Sequence, residues 1–79
     1  MAESVLLVED DPDIVRNLEE YLRTEGFEVA AVSGQEEALT LLEERSFDLV
    51  LLDITLSSGS GYGICRAVRA NYDIPVIFL

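Results

Sequence analysis

Four short, largely apolar runs punctuate the chain: VLLV at 5–8, FEVAAV at 27–32, LVLL at 49–52 and PVIFL at 75–79. VLLV, LVLL and PVIFL are too short for a helix and too continuous for a strand with one wet face, so each predicts a buried strand, VLLV on both faces, and FEVAAV, short and β-branched, predicts another strand. The stretches between them are long enough for one helix apiece. Strand and helix in strict alternation predict an α/β domain, a parallel sheet whose right-handed crossovers place helices on its faces.

The intervening segments carry helix signals. Asp11 before Pro12 predicts a start, because Asp can cap free amides and Pro is pre-set for the first turn. Ile14, Leu18 and Leu22, flanked by Val15 and Tyr21, recur at helical spacing, and Gly26 supplies a C-terminal stop. Ser33 with Glu36 three residues on predicts a capping box for a second helix burying Ala38, Leu39 and Leu42. Phe47 leads into the third strand, and SSGSGYG at 57–63 reads as loop. Ile64, Cys65 and Val68 then mark the inner face of a third helix, with Cys65 as a small buried hydrophobe.

Composition narrows the function. With 79 residues the chain can form one core only, and 49% hydrophobic against 27% charged residues describes a globular domain. Five basic residues against 16 acidic ones, a net charge of −11, disfavour direct nucleic-acid binding, which needs Lys and Arg for the phosphates. The absence of His removes imidazole bases and imidazole metal ligands. A lone cysteine precludes an intrachain disulfide and suits a reducing cytoplasm. No apolar run approaches the ~20 residues that span a bilayer, so no membrane partner is expected.

What remains is carboxylate chemistry. Glu9, Asp10 and Asp11 follow the first strand directly, and Asp53 closes the third. In an open parallel sheet, ligands bind beyond the C-terminal strand ends. If the first and third strands are neighbours, roughly 4.8 Å apart, Glu9, Asp10 and Asp53 converge there. An all-oxygen set selects a hard cation, Mg²⁺, Mn²⁺ or Ca²⁺. Asp11 is better explained as a helix cap. Glu9 and Asp10 alone could equally be solvated acids near a helix N-terminus; Asp53, where neither cap nor turn asks for an acid, tips the reading towards a metal centre.

VLLVEDDPDI, FDLVLLDITLSSGSG and IPVIFL together resemble three successive landmarks of the response-regulator receiver domain, the phosphoacceptor module of two-component signalling, across the whole chain. The resemblance implies a flavodoxin-like sheet of order 2-1-3-4. It implies that Asp53 is the nucleophile, taking a phosphoryl group from a sensor histidine kinase or a small phosphodonor with Mg²⁺ (Mn²⁺ possible). Asp10 would bind the metal directly, Glu9 directly or through water, and Thr55 through its backbone carbonyl. The acidic triplet and LVLLDITL are most similar to transcriptional regulators with a winged-helix DNA-binding effector domain.

Two departures stand out. Ser57 occupies a position where the family usually has Pro, while Gly61 is retained. The family's hydroxyl residue after the fourth strand and Lys at the end of the fifth have no counterpart in residues 1–79. The expectation is therefore the N-terminal part of a single receiver domain, phosphorylated slowly or not at all on its own, with its fourth strand an apolar edge prone to self-association. An alternative keeps the fold and abandons the chemistry, as an interaction or dimerisation module. A metal-dependent phosphohydrolase with an aspartyl nucleophile would need an acid at 55, where this chain has Thr.

Overall fold

A computed structural model describes residues 3–53 and 61–79. Its elements are β1 (Ser4–Val8), α1 (Pro12–Thr24), β2 (Glu28–Val32), α2 (Gln35–Glu44), β3 (Leu49–Leu52), α3 (Gly61–Asn71) and β4 (Val76–Phe78). The strands form one sheet of order β2-β1-β3-β4, with every neighbouring pair parallel, as the resemblance implies. The expected α/β alternation is present throughout.

The apolar runs split by parity between the two faces, because successive strand residues point to opposite sides. Leu6, Val8, Val50 and Leu52 pack with Ala38 and Leu42 of α2 and Ile64, Cys65 and Val68 of α3. Val5, Leu7 and Leu51 pack on the other side with Leu22 of α1. All four residues of the run at 5–8 are fully buried. Each such side chain contributes roughly 1.5–3 kcal/mol relative to exposure, which makes the central strand the main source of stability.

The α1 boundaries follow the chemistry of their residues. Asp11 Oδ1 accepts the amides of Asp13 (2.9 Å) and Ile14 (3.4 Å), and Pro12 opens the first turn. At the other end the Gly26 amide donates to the Arg23 carbonyl and the Phe27 amide to that of Leu22, with Gly26 at φ 94°. This paired closure needs a left-handed residue, which Gly supplies without a Cβ penalty. The inward stripe is narrower than expected: Val15, Leu18 and Leu22 face the sheet, whereas Ile14 and Tyr21 are 42% and 61% exposed. At 3.6 residues per turn both lie off the line through those three.

Two local expectations are corrected. The Ser33–Glu36 capping box does not form; Gly34 is the N-cap of α2, and Ser33 Oγ donates instead to Glu37 Oε1 at 3.1 Å. The helix starts one residue later than a Ser33 cap requires, so Glu37 occupies the third helical position. The loop reading of 57–63 also fails at its end, because Gly61, Tyr62 and Gly63 form the first turn of α3. A Cβ on Gly63 would come within 2.8 Å of the Gln35 side-chain nitrogen, the far end of a flexible side chain that can move aside. Residues 57–60 lie outside the described residues.

The sheet edges differ. The even residues of β2 point their backbone groups at β1, as the bonds from Glu28 N to Glu3 O and from Glu9 N to Val32 O show, so the Val29 carbonyl points outward. Arg23, ion-paired to Glu19 at 3.0 Å, donates to that carbonyl at 3.2 Å. A charged side chain over an edge strand discourages pairing with another chain. At β4 the backbone groups of Val76 and Phe78 point outward, while Ile77, Phe78 and Leu79 are 51%, 39% and 50% exposed. Tyr62 of α3 lies against Phe78, ring centroids 6.1 Å apart.

Candidate metal centre

The ladder runs one residue past each of the two strand pairs that β1 makes and fixes the backbone at their C-terminal ends. The Glu9 amide donates to the Val32 carbonyl (3.1 Å), and the Asp53 amide to the Val8 carbonyl (2.9 Å). Two acids on adjacent strands are thereby held at one edge, with Asp10 next along the chain. Glu9, Asp10 and Asp53 each present a carboxylate oxygen, and these oxygens lie within 4.8 Å of one another. The structure thus brings together three of the four ligand positions expected; Thr55 lies outside the described residues.

Burial is uneven. Glu9 is 4% exposed and is the buried charged residue of the described chain, whereas Asp10 and Asp53 are partly buried. Glu9 Oε1 accepts the amides of Asp10 (3.0 Å) and Asp11 (3.1 Å). Asp11 turns away to cap α1, as its residue type predicts. The two amide bonds onto Glu9 are not legible in the sequence, since any acid after a strand could equally point into solvent.

Electrostatics follow from this packing. Burial raises the Glu9 carboxyl above its ordinary pKa of 4.5, the Asp11 amide opposes the rise, and the Asp53 charge and a side-chain hydrogen bond with Asp53 add to it. A folded carboxyl with a raised pKa binds more protons than the unfolded chain does. Its contribution is therefore full below about 4.5 and is lost as pH rises through the folded value. In chelator, thermal stability should fall from pH 4.5 upward more steeply in the wild type than in Glu9→Gln. Equal slopes in the two proteins would exclude Glu9 as a source of the pH dependence.

The donor set fits a hard divalent cation. All three groups are carboxylates, the chain has no His, and Cys65 is buried in the core between α3 and the sheet. Oxygen-only ligation suits Mg²⁺, Mn²⁺ or Ca²⁺, and a cation would offset the mutual repulsion of the acids. Like charges about 4 Å apart cost about 1 kcal/mol in water and about 4 kcal/mol at an effective dielectric of 20.

Comparison with known proteins agrees with this fold. The family described as the response regulator receiver domain matches residues 5–79. The DNA-binding response regulator MtrA of Mycolicibacterium smegmatis is 39% identical over 79 residues, covering 100% of this chain and 35% of the relative. The chain thus spans about a third of the length of the curated relatives it matches. Among solved structures, the MaeR response regulator bound to beryllium trifluoride superposes with a TM-score of 0.89 at 34% identity, covering 98% of this chain and 66% of that one. A complex of the histidine kinase ThkA with the response regulator TrrA matches with a TM-score of 0.89 at 34% identity, covering 96% and 66%. The parallel 2-1-3-4 sheet, the carboxylates gathered at its C-terminal edge and the match across residues 5–79 together identify the chain as a member of the response regulator receiver domain family of two-component signalling.

Proposed function

We propose that Asp53 is the phosphoacceptor and that Glu9, Asp10, Asp53 and the backbone carbonyl of Thr55 hold Mg²⁺, with Mn²⁺ as a substitute. The observation that supports this most directly is the convergence of the three carboxylates within 4.8 Å on two adjacent strands. An Asp53 carboxylate oxygen attacks the phosphorus of a phosphohistidine or a small acyl phosphate. A new O–P bond forms, and the donor's bond to phosphorus breaks with its electron pair leaving on the donor. The cation, when bound, neutralises charge on the transferring oxygens. Asp53 is kept in place by its amide bond to Val8, so the nucleophile is fixed on the sheet rather than on a mobile arm.

The donor in this reading is a sensor histidine kinase, and the recipient of the signal is an effector domain in a longer parent protein of which residues 1–79 form the N-terminal part of the receiver. The kinase–regulator complex among the structural matches and the third of MtrA's length covered here support that placement. The description of MtrA as a DNA-binding response regulator supports a DNA-binding effector in that parent protein, and a cytoplasmic setting is part of the proposal; among the described residues no helix is long and apolar enough to cross a membrane. Titration of the ¹⁵N-labelled chain with Mg²⁺ tests the metal centre. Saturable shifts confined to residues around 9–11 and 53 are expected, and weak, non-saturating shifts spread over the acidic surface would contradict it.

A second reading concerns the 79-residue chain by itself and is favoured by one observation, the exposure of Ile77, Phe78 and Leu79 at β4. Self-association through that strand is the expected consequence, because Val76 and Phe78 offer outward backbone groups flanked by exposed apolar side chains. Sedimentation velocity should show a concentration-dependent increase in mass. A monomer at all concentrations would exclude an edge-mediated dimer.

A further inference from the structure

Glu9 is tied down more firmly than a metal ligand requires. Its backbone continues the β1–β2 ladder through Val32, and its side chain folds back over the turn that follows, with Oε1 accepting the amides of both Asp10 (3.0 Å) and Asp11 (3.1 Å). Those amides belong to the short connection between β1 and α1. The side chain is nearly inaccessible, 4% exposed, so solvent competes poorly for either bond. Asp11, thus held, accepts the Asp13 and Ile14 amides at the start of α1, and its carbonyl accepts the Val15 amide at 3.0 Å.

Asp10 sits in the middle of this chain of bonds. Its own amide is anchored to Glu9, and the residue after it is anchored to Glu9 on one side and to α1 on the other. We infer that Glu9 is a positioning residue for Asp10: by clasping the turn between β1 and α1, its side chain sets where the Asp10 carboxylate stands relative to Asp53. The inference rests on the metal-centre reading for its consequence, though the clasp itself is independent of any ion. One Glu9 oxygen is committed to the turn, so Glu9 acts on the metal through the geometry it imposes on Asp10 as well as through its own charge and remaining oxygen.

Glutamine and alanine at position 9 separate geometry from charge. Glutamine keeps an acceptor oxygen at the same reach and loses the charge; alanine loses both. In the metal-free 79-residue chain, the Asp10 and Asp11 amides should exchange with solvent at least tenfold more slowly than free loop amides, a protection that Glu9→Gln retains and Glu9→Ala abolishes. Mg²⁺, followed through the Asp53 amide resonance, should bind Glu9→Ala at least tenfold more weakly than Glu9→Gln. Equal affinities of the two variants would show that only the charge matters and would overturn the inference. So would free exchange of the two amides in the wild type, or their loss of protection in Glu9→Gln, results that do not need the alanine variant to fold. If the wild type bound no Mg²⁺, the metal reading would fail while the exchange data still decided whether Glu9 holds the turn.

Discussion

Leu6→Ala should cost about 2–5 kcal/mol and move the urea midpoint down by about 1 M or more. Leu6 is fully buried on β1, paired in register with Ala30 of β2 and Val50 of β3, and packed in the cluster beneath α2 and α3. Its register partners lie on two other strands and its cluster draws on two helices, so no single element can move in to fill the space. A single core of this size rarely supplies more than about 3–5 kcal/mol of net stability, and the variant should therefore be largely unfolded at room temperature. Ile77→Ala is the matched control. Ile77 is 51% exposed on β4, and its truncation should change stability by no more than about 0.5 kcal/mol. A Leu6 variant as stable as the Ile77 variant would mean that β1 is not the centre of the core.

The strands were legible because a both-faces-buried strand must be apolar at every position, and only a parallel sheet covered by helices makes that demand. VLLV and LVLL fall in the two innermost strands for that reason. The ends of α1 were legible from Asp11–Pro12 and Gly26, whose conformational preferences are intrinsic. Less legible were features settled by neighbours. Ile14 has the apolar character of an inward residue but lies off the Val15–Leu18–Leu22 stripe. Ser33 has the right spacing to Glu36, yet Gly34 takes the cap, and the competition between two adjacent capping residues is decided by how the chain leaves β2.

At the site, the convergence of Glu9, Asp10 and Asp53 was readable only conditionally, on β1 and β3 being neighbours; the observed register, Val8 beside Leu52, supplies that condition. The separate fate of Asp11, a cap rather than a fourth acid of the cluster, follows from its place before Pro12. The double amide contact of Glu9 was not readable, because it depends on a side-chain direction that strand periodicity leaves undetermined beyond the strand's end. Nor was the Arg23 contact with the outer carbonyl of β2, which requires the turn at Gly26 to bring the end of α1 over the edge strand.

Asp53→Asn should remove phosphoryl uptake altogether. Asparagine is nearly the same size and can keep the backbone bond to Val8, so the fold survives, but its amide has no anionic oxygen with which to attack phosphorus. The substitution also takes one negative charge from a group of three carboxylates within 4.8 Å, so metal-free stability should be unchanged or higher. A stable, folded and unreactive variant is thus the expected combination. The decisive measurement is the intact mass of the 79-residue chain after incubation with Mg²⁺ and a small acyl phosphate, beside Asp53→Asn and a sample in chelator. One added phosphoryl group in the wild type, absent from the variant and from the chelated sample, is the predicted result. No labelling of a folded wild type with Mg²⁺ bound would favour the interaction module over the phosphoacceptor for this chain, and equal labelling of wild type and variant would contradict the assignment of Asp53.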